Sequence, residues 1–148
     1  MEALICDAEA RHIPQMEEIE KLCFSMPWTP EQLRAQLHDT QHECIVALDL
    51  DGNVLGYVGM MCVLDEGYIS NVAVHPTARR QGLADRLTCE LLDRARERSL
   101  AFVTLEVRAG NEPAISLYSK HGFLPVGRRK NYYSLPKEDA ILMTIILK

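Results

Sequence analysis

The chain has 148 residues, 47% hydrophobic and 25% charged. It is long enough to bury a core and is read as one domain over residues 1–148, which excludes disordered, collagen-like and low-complexity classes. A net charge of −5, from 16 basic and 21 acidic side chains, argues against direct nucleic-acid binding, while a local basic pocket for a phosphate is allowed.

Glu2 to Asp7 reads as a first strand. Pro14 then fits the first turn of a helix, and Met16, Ile19, Leu22 and Cys23 form one apolar stripe ending near Phe24. Thr29-Pro30-Glu31-Gln32 is a capping box that opens a short helix ending near His38. Strands follow at Cys44–Leu48, Val54–Leu64 and Tyr68–Val74, and their short turns force an antiparallel meander. Gly82 opens a long helix to Arg98 with Leu83, Leu87, Leu91, Leu92 and Ala95 on one face. Ala101–Val107 is a strand, and Asn111 caps a helix that Gly122 ends. Pro125–Arg129 is a strand, a polar aromatic loop runs through Lys137, and Asp139–Leu147 is the last strand. The order β-α-α-β-β-β-α-β-α-β-β predicts an α/β fold, a mixed, mostly antiparallel sheet with helices on both faces.

The longest apolar run, Ala140 to Leu147 broken by Thr144, is far short of the ~20 residues of a membrane helix. Met1 to Asp7 carry no signal-peptide pattern. Cys6, Cys23, Cys44, Cys62 and Cys89 contain no Cys-x-x-Cys pair, so they read as reduced, buried thiols, Cys89 among them. A cytoplasmic protein with no membrane partner is expected. His38 and His42 lie four apart but straddle a helix end, so no metal site is expected. The sequence sets no oligomeric state, and a monomer is compatible with it.

The most informative stretch runs from Val72 to Ala84. A strand enters a turn with Arg79 and Arg80, and Gly82 and Ala84 open a long helix. The first N–H groups of a helix lack internal partners and lie at the positive end of its dipole. Small residues let a phosphate reach them, and arginines add forked donors. Neither a Walker loop nor a Gly-x-Gly-x-x-Gly dinucleotide fingerprint is present, which argues against an ATPase or a dehydrogenase.

Arg79-Arg80-Gln81-Gly82-Leu83-Ala84 resembles the Gln/Arg-x-x-Gly-x-Gly/Ala loop of the GCN5-related N-acetyltransferases (GNAT). More narrowly, Leu105 to Asn111, Ala114 to Tyr118 and Gly122-Phe123 resemble the RimI-type branch, which acetylates the N-terminal alanine of a small-subunit ribosomal protein. Met26-Pro27-Trp28-Thr29, Arg129 to Tyr133 and Glu138-Asp139-Ala140 are similar to that branch too. The resemblance implies the GNAT fold, acetyl-CoA as co-substrate, no metal, and the N-terminus of a ribosomal protein as acceptor. It implies that the backbone of Val72, Ala73 and Val74 pairs with the pantetheine arm. Arg79, Arg80, Gln81, Gly82, Leu83, Ala84 and Asp85 would surround the pyrophosphate, with Asn111 also on CoA. Glu106 would be the general base and Tyr118 the general acid. Gly110 stands where that branch often has serine.

The residues themselves support a base and an acid. Glu106 shares strand parity with Phe102 and Thr104, opposite Val103, Leu105 and Val107. Tyr118 lies seven residues after Asn111, almost two helical turns, so both face nearly the same side. Trp28, Tyr132 and Tyr133 are candidates for the wall of an acceptor groove, as aromatic residues bring contact area at small entropy cost. Two other readings stand beside protein N-terminal acetylation: acetylation of a small-molecule amine, which calls for a narrow acidic pocket, and a CoA-binding module without turnover, which has no use for Glu106 and Tyr118.

Overall fold

A computed structural model describes residues 2–37 and 39–148. The predicted His38 end of the second helix, and the pairing of His38 with His42, therefore lie outside the described residues. Strands β1 (Leu4–Asp7), β2 (His42–Leu48), β3 (Val54–Val63), β4 (Glu66–Val74), β5 (Phe102–Arg108), β6 (Leu124–Ser134) and β7 (Lys137–Ile146) alternate with helices α1 (Ile13–Cys23), α2 (Pro30–Ala35), α3 (Leu83–Glu97) and α4 (Glu112–Lys120). This is the α/β order read from the sequence.

The strands form one sheet in the order β1-β2-β3-β4-β5-β7-β6. Every neighbouring pair is antiparallel except β4 and β5, which run parallel because α3 carries the chain back between them. Alternation along the strands feeds two cores. On one face Leu83, Leu87 and Leu91 of α3 pack with Val58, Met60, Val103 and Leu105. On the other, Ile13, Met16 and Ile19 of α1 and Leu33 of α2 pack with Val46, Tyr57 and Ala73.

Local signals act where expected. The Thr29–Gln32 capping box forms in both directions, and Pro30 sits in the first turn of α2. Asn111 caps α4, its Oδ1 accepting from the Ala114 N–H at 3.3 Å.

Two expectations are corrected. The polar stretch after Arg129 is not a loop: β6 continues to Ser134, paired with β7 through a bulge between Arg129 and Tyr133 where Asn131 takes a φ of 52°. As the edge strand of the sheet, exposed along nearly its whole length, β6 needs no apolar alternation to form. The cysteines are not uniformly buried. Cys44 and Cys62 are, Cys6 and Cys23 are half-buried, and Cys89 is exposed. Two residues beyond Leu87 and two before Leu91, Cys89 lies about 200° round the helix from both, away from the core.

Candidate active site

The parallel ladder covers only Glu66–Tyr68 against Phe102–Thr104, after which β4 and β5 part. A bulge at Ser70 accompanies the parting: Gly59 faces Asn71 but Met60 faces Ile69. The His75 N–H donates to Leu55 O at 2.7 Å, so by alternation Ala73 and Asn71 turn their backbone groups to β3. Val72 and Val74 turn theirs toward the gap. The gap opens into a cavity of about 680 Å³ lined by residues from both faces of the sheet.

The cavity brings together Val72, Glu106, Asn111, Tyr118, Trp28, Tyr132 and Tyr133. Ala73 is buried in the α1–α2 core and offers only backbone. Glu106 projects from β5 on the α1–α2 side of the sheet. Its Oε1 lies 3.5 Å from Arg129 Nε, and its Oε2 is buried with no hydrogen-bond partner among the described residues. Tyr118 reaches the cavity from α4, its ring edge-on to Phe123 at 5.6 Å. Burial, with Tyr133 nearby, pushes its phenol well above the ordinary value, so it is held protonated.

The tyrosines of β6 are fixed by arginines. Arg108 lies over the Tyr133 ring at 4.2 Å, and Arg129 over Tyr132 at 5.8 Å. Burial, then the nearby Glu106 charge, pushes Tyr133 up to about 12. The nearby Glu106 carboxylate, foremost, raises the Tyr132 phenol. Arg108 also donates to Leu135 O and Pro136 O at 3.0 and 2.9 Å, tying the β6–β7 turn to β5. Gly110 joins this clamp. Its N–H donates to Glu138 Oε2 at 2.7 Å, and a Cβ on residue 110 would lie 2.7 Å from that same oxygen. The turn meets the α1–α2 loop, where Ser25 Oγ donates to Leu135 O and Ser134 Oγ lies 3.7 Å from Met26 Sδ. Trp28 both packs on the α1–α2 core and lines the cavity.

The predicted phosphate loop sits at the C-terminal end of β4. Gly82 caps α3 with a φ of 77°, and open space lies where its side chain would be. Arg80 also takes a positive φ, 63°, and Arg80 and Gln81 are exposed. Leu83 is buried in the core, so only its backbone is available. Ala84 and Asp85 complete the first turn. The Asp85 carboxylate points away from that terminus to α4, accepting from Lys120 at 3.0 Å and His121 at 2.8 Å. The Lys120 hydrogen bond leads in lowering its pKa. Arg79 folds back, donating to Val74 O at 3.2 Å and Cys23 Sγ at 3.3 Å. A phosphate at this terminus would meet free backbone N–H groups and the positive end of the α3 dipole.

Two cavity residues carry no sequence signal. Glu20 of α1 is fully buried, its Oε1 accepting from the Trp28 N–H at 2.7 Å and its Oε2 from Asn71 Nδ2 at 2.8 Å. Burial raises its pKa against these bonds. A glutamate in an amphipathic helix reads as a solvated residue; only the β4 bulge brings Asn71 to it.

The model of the Acetyltransferase (GNAT) family matches residues 13–123. The chain belongs to this family. It is thus an acetyltransferase with acetyl-CoA as donor. A ribosomal protein bS18-alanine N-acetyltransferase from Escherichia coli K12 is 33% identical over 143 residues, covering 95% of each chain. The crystal structure of the S18-alanine N-acetyltransferase from Escherichia coli superposes with a TM-score of 0.91 at 31% identity, over 99% of this chain and 95% of that one. The NatC complex bound to Gag peptide and CoA shares the fold, with a TM-score of 0.88 at 23% identity over the full length of both chains. Among the described residues no cluster of metal ligands occurs, and no helix is long and apolar enough to cross a membrane.

Proposed function

We propose that this chain, as one domain over residues 1–148, moves the acetyl group of acetyl-CoA to the N-terminal α-amine of a ribosomal protein, with alanine first and bS18 as the acceptor. The observation that carries the reading is Glu106 Oε2, a buried carboxylate oxygen without a donor among the described residues, in the cavity where β4 and β5 part. The relatives named for bS18 supply the acceptor.

Acetyl-CoA enters with its pyrophosphate on the α3 terminus and its pantetheine arm along the backbone edge at Val72 and Val74, displacing the Arg79 and Cys23 side chains from Val74 O, with Asn111 beside it. The neutral amine attacks the thioester carbonyl, forming the C–N bond. Glu106 takes the amine proton, directly or through one water. The C–S bond then breaks, and the Tyr118 hydroxyl donates to the departing sulfur. A CoA thiol, pKa ~8.5 by analogy with cysteine, is a stronger acid than this raised phenol. Tyr118 therefore stabilises the thiolate by a hydrogen bond, and solvent supplies the final proton. No acetyl-enzyme forms.

One carboxylate is adequate for an α-amine. With a pKa of ~7.7–8.0 it costs only about 1 kcal/mol to deprotonate at pH 7, against roughly 4–5 kcal/mol for a lysine at ~10.4. A small polyamine would call for several free carboxylates. The acidic residues of the cavity are Glu20, with both oxygens engaged, and Glu106. The deciding experiment is intact-mass analysis of an N-terminal bS18 peptide after incubation with acetyl-CoA. A gain of one acetyl group, absent from an N-blocked copy, is expected. Thiol release with small amines but not with the peptide overturns the reading.

A further inference from the structure

We propose that Asn71 is the second acceptor for the reacting amine, and that Glu20 is the positioning residue that aims it. The inference rests on the acetyl-transfer reading above and deepens it.

Asn71 is 7% exposed and lines the cavity, and its Oδ1 is buried with no hydrogen-bond partner among the described residues. Buried carbonyl oxygens without a donor are uncommon, since the loss of solvation is not repaid. The orientation of the amide is set by its neighbour. A carboxylate only accepts, and Glu20 holds the Trp28 N–H on one oxygen and the Asn71 NH₂ on the other. Asn71 Oδ1 is thereby left for the cavity.

The sheet puts this oxygen across from the base. Tyr68 and Thr104 are the last parallel pair. Two steps along β5 from Thr104 is Glu106. Two steps along β4 from Tyr68, not counting the extra residue of the bulge, is Asn71. The bulge keeps Asn71 on the α1–α2 face that Glu106 shares. Without it that residue would point to the α3 side.

The chemistry of a primary amine uses both oxygens. As its lone pair bonds to the carbonyl carbon, nitrogen becomes positive and carries two N–H groups. One proton passes to Glu106, and the other group donates to Asn71 Oδ1. That hydrogen bond strengthens as charge develops, so it favours the transition state over the ground state. A secondary amine has one N–H, which Glu106 requires, and nothing for Asn71. The site therefore selects primary amines.

The test compares kcat/KM for an alanine-first peptide with that for the same peptide begun by N-methylalanine. Wild type is expected to prefer the primary amine. Asn71→Leu keeps the branched heavy-atom outline without the polar atoms, and should cut the rate with the alanine peptide about 10- to 100-fold, the size expected for a hydrogen bond to a charged group. The N-methyl rate and the acetyl-CoA KM should move little, so the preference collapses. Glu20→Gln tests the same geometry with the fold intact. The Trp28 N–H holds the new amide oxygen, so its NH₂ meets Asn71, which then turns Oδ1 inward and presents an NH₂ to the cavity. A fall in the preference of about tenfold is expected. A preference unchanged in the folded variants overturns the proposal. If Glu106→Gln abolishes turnover while the preference persists in these variants, only the role of Asn71 is lost. If Glu106→Gln is fully active, the acetyl-transfer mechanism itself is lost.

Discussion

The two sides of the cavity are built in different ways. On the reading proposed above, the donor side, from Val72 to Asp85, is one short stretch of chain, a strand edge, a turn and the first turn of α3, with Asn111 added from the cap of α4. The proposed acceptor side is assembled from distant segments. Glu20 meets Asn71 across 51 positions, and Ser25 meets Leu135 across 110. A site for a cofactor of constant shape is made by local backbone geometry. A site for a particular acceptor depends on tertiary contacts, which can vary without disturbing the first.

Substitutions should separate the two sides in kinetics. Glu106→Gln removes the base and keeps the shape, and kcat is expected to fall ~10²–10⁴-fold at pH 7. The loss should shrink at high pH, where the amine is already neutral. Thiol release across a pH series checks both points, and an unaltered acetyl-CoA KM would place Glu106 on the acceptor side alone.

Tyr118→Phe removes a donor from the sulfur. Because Tyr118 stabilises the thiolate by one hydrogen bond, a kcat loss of about 10- to 100-fold is expected, the size for a hydrogen bond to a charged group. A defect confined to acetyl-CoA KM would move Tyr118 from the reaction to donor binding. Gly82→Val imposes a side chain on a φ of 77° and places it where a phosphate would approach. The blocked approach should raise the acetyl-CoA KM about tenfold or more, a loss of at least ~1.4 kcal/mol of binding, while the peptide KM holds. An equal rise in both would erase the division between the sides.

The smallest effect is on stability. Burial raises the Glu20 pKa above its unfolded value, so between the two values the folded chain binds the extra proton. Its contribution to stability therefore falls as pH rises through that window. Glu20→Gln does not titrate, so relative to wild type it should gain stability from pH 4 to pH 7. Urea denaturation of both at each pH measures the difference, and a change of the opposite sign would mean that the bonds from Trp28 and Asn71 outweigh burial.

Legibility in the sequence follows the same division. Gly82, the Thr29 capping box and the Asn111 cap act within a few residues, and all were readable. Glu106 and Tyr118 were placed by strand parity and helical spacing, and the resemblance supplied their roles. Glu20 and Asn71 were not readable, because their partnership depends on a single extra residue in β4. The outer half of β6 was missed because polarity suggested a loop, whereas an edge strand is held by its ladder alone. Cys89 was judged by its apolar neighbours when its angle round the helix decides its exposure.

The parting of β4 and β5 has a consequence for traffic. On the reading proposed above, the nucleotide end would arrive over α3 and α4, and the peptide between the α1–α2 loop and the β6–β7 turn, because the cavity is lined from both faces of the sheet. The two reactants would then use separate doorways, so that neither would have to leave before the other exchanged. Spent CoA can then depart past an acetylated chain end still in place, and product-inhibition patterns should show no obligatory order of release.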